Sequence, residues 1–152
     1  MKQWLEELIS DTTALGGLPI YLMITALFAV AGKWIVFSQL LLGLVAVYAA
    51  KAITSTFWFR KRPEKRVYTN LFERIDAASF PSVHSARSVV LGILVAALLQ
   101  NILANLLIAG GVIAVGVTRI WLRKHYWSDI IVGWAYGAVI GLLLLKLTPF
   151  LF

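Results

Sequence analysis

The chain contains no cysteine, which removes disulfides, thiolate nucleophiles and cysteine-ligated metals from consideration. Histidine is nearly absent as well: there are two, so any imidazole chemistry has to run through His84 and His125. Acids are scarce, with seven Asp+Glu against 14 Lys+Arg, and they show no clustered spacing suited to Mg²⁺. Charged residues make up only 14% of the chain, where soluble domains carry about 25%.

What is present is apolar: 61% of the residues are AVILMFWYC. A soluble domain near this length still exposes about a third of its unfolded surface, and cannot hide so much hydrocarbon. Lipid is therefore the solvent for most of the chain. The formal charge of +7 would suggest nucleic acid in a soluble protein. Here it has to be read as membrane topology, and no nucleic-acid partner is expected.

A membrane-spanning helix needs about 20 apolar residues. Thr12–Gly32 is an uncharged stretch of 21, softened by Gly16, Gly17 and Pro19. Lys33 and Trp34 mark an interface, and Trp34–Phe59 is a second span, interrupted by Lys51. Arg60–Ser79 is a polar, basic stretch of 20 residues. Ser88–Thr118 then runs for 31 residues without a charge, too long for one helix across a bilayer. Gln100, Asn101 and Asn105 supply a break, predicting spans near 84–100 and 103–122, and a last span at 129–148 closes at Thr148-Pro149. The N-terminal segment, 1–11, carries three acids and lacks a long apolar run, so it is not expected to be a cleavable signal peptide. Its Trp4, Leu5, Leu8 and Ile9 fall at helical spacing, which suits a helix lying on the membrane surface. The expected fold is an all-α integral membrane bundle of about five transmembrane helices plus this interfacial helix. It forms one membrane-embedded domain over 1–152, with a basic loop at 60–83.

Five spans place the N-terminus, the 60–83 loop and the 119–128 turn on one side. Eleven of the 14 Lys+Arg and all seven acids fall there, together with both histidines. One face does the chemistry. Asp129 follows His125 by four residues, so in a helical segment its carboxylate can reach the imidazole, fix its tautomer and leave the other nitrogen as a nucleophile. Arg119 precedes His125 by six, and a guanidinium clamps phosphate oxygens well. Pro81 and Ser82 read as the start of a helix, whose free N–H groups favour an anion. This is a phosphate site with two imidazoles.

The motif Pro81-Ser82-Val83-His84 lies 34 residues before Thr118-Arg119, which is followed by five residues, His125, three residues and Asp129. Together with Arg62-Pro63, this set resembles the three motifs of the type 2 phosphatidic-acid phosphatase superfamily, in the family's order, over residues 51–129. The resemblance implies that His125 attacks phosphorus to form a phosphohistidine, that Asp129 orients it, and that His84 protonates the leaving oxygen and then activates water. It assigns the phosphoryl oxygens to Arg62, Arg119, Ser82 and the backbone N–H groups at Val83 and His84. It implies no metal and no cofactor, with a lipid phosphate as substrate and membrane lipids as surroundings.

The chain departs from the pattern at three points. Ser55 stands where the first motif has lysine; Lys51, one turn earlier on the same face, is one substitute, and Arg60 or Lys61 are others. A snorkelling interfacial lysine is the plain alternative for Lys51. Val83 replaces the usual glycine and Thr118 the usual serine.

Gly133, Gly137 and Gly141 recur every fourth residue, a smooth face for helix contact within the monomer or, alternatively, for a homo-oligomer. Gly110, Gly111 and Gly116 suggest the same in the preceding span. Trp58, Trp121 and Trp127 on the basic side and Trp34 on the other form an aromatic belt. Lys65, Arg66 and Arg74 suit either anionic headgroups or a solvated loop. The Asp76 to Arg87 stretch resembles polyisoprenyl-diphosphate phosphatases, which favours an undecaprenyl-type isoprenoid (di)phosphate. Phosphatidylglycerophosphate, phosphatidate and lipid A phosphate are alternatives. A phosphotransferase and a non-catalytic headgroup binder or transporter are rival classes. An integral protein of the plasma membrane is expected; the positive-inside rule puts the basic face in the cytoplasm, with an extracytoplasmic site as the alternative.

Overall fold

The computed structural model describes residues 2–64, 73, 75 and 77–147, and among them every regular element is a helix. In chain order these are α1 (Lys2–Ala14), α2 (Leu18–Val30), α3 (Trp34–Phe57), α4 (Val83–Leu99), α5 (Ile102–Trp121) and α6 (Trp127–Leu147). Lys65, Arg66, Arg74, Asp76 and the Thr148-Pro149 closure lie outside the described residues. The chain is an all-α integral membrane bundle: α3, α5 and α6 are each long and apolar enough to cross a bilayer. The α4 helix is apolar but only 17 residues long.

The first uncharged stretch differs from its expected form. Thr12–Gly32 is not one helix: α1 runs on to Ala14, a turn occupies 15–17, and α2 restarts with Pro19 in its first turn, where its missing N–H costs nothing. The α1 segment from Glu6 and α2 meet at a 43° bend and are long and apolar enough to cross a bilayer only as a pair, as a broken span or a re-entrant loop. At about 1.5 Å per residue, the 13 residues of α2 alone fall short of a bilayer's hydrocarbon. The break between α4 and α5 falls where the polar residues predicted it. Gln100 takes a left-handed conformation (φ 47°), and the Asn101 side chain caps α5 by accepting from the Ala104 N–H at 3.0 Å.

The centre of the bundle is α4, packed most extensively on α6 and also against α3 and α5. Its inward face joins Tyr21, Val36, Leu40 and Val47 in a core that includes Ala86, Val90 and Leu94. Glycines on α6 let it approach closely. A Cβ at Gly133 would lie 2.6 Å from the Ser82 carbonyl oxygen, and one at Gly137 would run into the Ala86 carbonyl and Val89. Gly141 packs on Ile93 in the same way, so this glycine face is filled by α4 of the same chain. Gly116 packs on Trp134 and Ile130, whereas Gly110 and Gly111 meet nothing within 4 Å and do not form the close contact expected of them. Large apolar side chains such as Leu42, Val45, Leu107, Ile113, Val139 and Leu142 point outward, as a lipid-facing surface requires.

Candidate active site

One end of the bundle gathers the start of α4, the turn between α5 and α6, the polar end of α3 and the last turn of α1. A cavity of about 640 Å³ opens there. Lys51, Arg62, Arg87, Arg119 and Lys124 line it, with His84, His125, Val83, Tyr48 and Thr13, and among the described residues no acid lines it. Five cations with no carboxylate among them make a strongly positive well, whose natural guest is an anion. Of the expected site residues, His84, His125, Arg62, Arg119, Val83 and Lys51 meet in this cavity.

His125 is buried in the turn between α5 and α6. Its Nδ1 lies 2.7 Å from the Ser79 carbonyl oxygen and 3.6 Å from Asp129 Oδ2. A carbonyl can only accept, so Nδ1 carries the proton and Nε2 keeps its lone pair. The tautomer is thus set by the Ser79 main chain and not by Asp129, as the i, i+4 spacing suggested; Asp129 supplies negative charge beside the ring. Burial pushes the His125 imidazole down to about 4, Arg119 and Arg62 add to the fall, and Asp129 opposes it. The ring is therefore neutral at neutral pH, the form a nucleophile needs.

Asp129 is fully buried, and its carboxylate is held from two sides. Oδ2 accepts from the Tyr126 N–H at 2.8 Å, a reach back to the start of α6, and Oδ1 accepts from Arg60 Nη1 at 3.0 Å. Arg60 also stacks over the Tyr126 ring, 4.1 Å from its centroid. Arg60 is thus engaged with Asp129 and does not line the cavity; Lys61 is exposed and does not line it either. Neither takes the place of the first-motif lysine.

Lys51 does sit in the cavity wall, and it is buried, not snorkelling. Its Nζ donates to the carbonyls of Ala78 (2.7 Å) and Phe80 (3.1 Å). Ser55, at the position of the expected lysine, donates its hydroxyl to the same Phe80 carbonyl at 3.1 Å. The two residues therefore fasten the 78–80 segment, whose Ser79 carbonyl in turn holds His125. Further backbone bonds clamp it: the Ser79 N–H donates to the Arg60 carbonyl at 2.8 Å and the Ser82 N–H to the Asp129 carbonyl at 3.0 Å.

Ser82 is fully buried and does not line the cavity. Its hydroxyl caps α4, accepting from the Ser85 N–H (3.4 Å) and the Ser85 hydroxyl (3.0 Å). The structure shows Ser82 as this cap and not in the cavity wall, where the first backbone N–H groups of α4 lie beside His84 in sequence.

A family model described as the PAP2 superfamily matches residues 20–152. The chain belongs to the PAP2 superfamily. Two solved members of similar fold are LpxE of Aquifex aeolicus and a transmembrane PAP2-type phosphatidylglycerolphosphate phosphatase of Bacillus subtilis. The first superposes with a TM-score of 0.78 at 20% identity, covering 94% of this chain and 86% of that one. The second has a TM-score of 0.69 at 20% identity, covering 96% and 77%. Comparison with curated protein sequences returns no match.

In this PAP2 member, sequence reasoning found the two imidazoles, Arg62 and Arg119 of the cavity but did not assign Arg87, Tyr48, Thr13 or Lys124 to it. Tyr48 and Thr13 come from helices outside the motifs, and nothing in their local sequence marks them. Lys124 stands next to His125, and that adjacency was the available signal.

Proposed function

We propose that this chain hydrolyses a lipid phosphate through a phosphohistidine at His125. The observation that carries the reading is a buried His125, its Nδ1 proton held by the Ser79 carbonyl, in the wall of a cavity lined by five cations and, among the described residues, no acid. His125 Nε2 attacks phosphorus, the bond from phosphorus to the leaving oxygen breaks, and His84 gives that oxygen a proton. His84 then takes a proton from water, the hydroxide attacks phosphorus, and the P–N bond breaks to release inorganic phosphate. Arg62, Arg119 and the N–H groups at the start of α4 balance the equatorial charge, which is most of what phosphoryl transfer asks of a protein. No step requires a metal, and among the described residues no three His, Asp or Glu side chains cluster to hold one.

An isoprenoid lipid (di)phosphate is the substrate class we favour. Its head enters the basic cavity while its tail stays against the outward apolar faces of the bundle. The concentration of Lys and Arg on the catalytic side favours a cytoplasmic orientation in the plasma membrane. The test is phosphate release in detergent from isoprenyl phosphates and diphosphates, phosphatidate and phosphatidylglycerophosphate, with and without EDTA. His125→Ala should abolish release from every substrate the native protein accepts. Undiminished release by that variant would overturn the mechanism, and loss of native activity with EDTA would overturn its metal independence.

A further inference from the structure

Arg87 is an arginine inside an apolar membrane helix, 2% exposed, and it lines the catalytic cavity. Its Nη1 donates to the Tyr48 hydroxyl at 2.9 Å and its Nη2 to the Gly16 carbonyl at 2.8 Å, while its Nε has no hydrogen-bond partner. Both acceptors are neutral, and among the described residues no carboxylate pairs with it. A buried guanidinium without a counter-charge is costly, and in a membrane helix such a residue marks a place where an anion binds.

Its position says which anion. Arg87 follows His84 by three residues on α4, whose N-terminus lies at the catalytic end. It is thus one turn, about 4.5 Å, deeper toward the bilayer. His84 is the leaving-group acid in the reading above, so the leaving group departs toward Arg87, on the side from which the tail enters. A simple phosphate ester has an uncharged alcohol there. A lipid diphosphate has its second phosphate there.

We infer that Arg87 binds the tail-side phosphate of a lipid diphosphate and selects phosphoanhydrides over phosphate monoesters. His125 attacks the terminal phosphorus, the bond from that phosphorus to the bridging oxygen breaks, and the electron pair stays on the bridging oxygen. The leaving group is the lipid monophosphate, and Arg87 balances the charge that grows on it. Tyr48 and Gly16 hold the guanidinium in place, so the bend between α1 and α2, outside the span of the family match, contributes to the choice of substrate.

This inference rests on the assignment of His125 and His84. The experiment compares kcat/KM for farnesyl diphosphate and farnesyl monophosphate in detergent micelles, for the native protein, Arg87→Gln, Arg87→Lys and Tyr48→Phe. The native protein should prefer the diphosphate. Arg87→Gln should lower the diphosphate value about 50-fold, as expected for a lost charge-assisted hydrogen bond, and at least tenfold more than it lowers the monophosphate value. Arg87→Lys, which keeps the charge, should recover part of the preference. Tyr48→Phe, which removes one anchor and no charge, should weaken the preference without abolishing it. It serves as the readout if Arg87→Gln does not fold. Equal losses on both substrates, or no native preference for the diphosphate, would overturn the inference while leaving the phosphatase reading intact. Native protein that hydrolyses phosphatidate or phosphatidylglycerophosphate but neither farnesyl compound would overturn the inference alone; native protein that hydrolyses none of them would overturn both.

Discussion

Ser79 and His125 are joined by a 2.7 Å contact between a main-chain carbonyl and Nδ1, while the nearest Asp129 oxygen stands 3.6 Å away. The His125 ring is therefore oriented by backbone from one side and faces negative charge on the other. These two roles are separable by mutation. Asp129→Asn should leave the Nδ1–H tautomer in place, visible as an unchanged Nδ1–H signal in ¹⁵N spectra of His125. It should still lower kcat about 100-fold, because the imidazole loses the charge that balances it in the transition state. A change of tautomer in that variant would return the orienting role to Asp129.

Lys51 and Ser55 converge on one acceptor, the Phe80 carbonyl. Lys51→Met should strip the Ala78 carbonyl of its Lys51 donor, a loss worth about 1–3 kcal/mol, leave Ser55 alone on the Phe80 carbonyl, and let the 78–80 segment drift from His125. The expected outcome is a drop in kcat/KM of about 30-fold or more, with a lower melting temperature in detergent. Adding Ser55→Lys to that variant should recover part of both, since residues 51 and 55 share one helix face and the new amine can reach Phe80. No recovery would mean that position 51 acts on the bound anion rather than on the segment.

The grouping of His84, His125, Arg62 and Arg119 was legible because their motifs are short in sequence and their order along the chain is fixed. His125 and Asp129 are only four residues apart, which brings them together although His125 lies in the turn before α6, and Pro81-Ser82 announces a helix start. The orienting contact was not legible, because a main-chain oxygen is present at every residue and Ser79 differs from its neighbours only once the chain has folded. The same holds for Arg60, which reads as one of three basic residues in a row until Asp129 is placed beside it. Hydropathy counted five spans but could not see that the first is broken at 15–17, since Leu15, Gly16 and Gly17 keep the apolar average high.

A Cβ at Gly137 of α6 would collide with the Ala86 carbonyl and Val89 of α4. Because α4 also carries His84 and Arg87, pushing these helices apart should move the cavity wall as well as loosen the bundle. Gly137→Val is expected to destabilise by about 1–3 kcal/mol, the usual cost of overpacking a tight contact. Gly110→Val, where a Cβ meets open space, should be close to neutral. Melting temperatures of the two variants in the same detergent decide the matter.

The pH response follows from the depressed pKa of His125. Its neutral form is the proposed nucleophile, and it persists down to about pH 4, well below the ordinary 6.5. The rate of phosphohistidine formation in a single turnover should therefore not fall between pH 7 and pH 5 through protonation of His125, and should drop through about pH 4. Removing a neighbour shifts this limb in a direction fixed by its charge. Arg119 lowers the pKa, so Arg119→Gln should move the limb toward neutrality; Asp129 raises it, so Asp129→Asn should move it to lower pH. The same group contributes to stability with a definite sign. The unfolded chain binds this proton more readily than the folded one, so the contribution is complete above about pH 6.5 and is lost as pH falls toward 4. An acid limb near 6.5 in the native protein would show instead that the ring is solvated and charged, contrary to its burial.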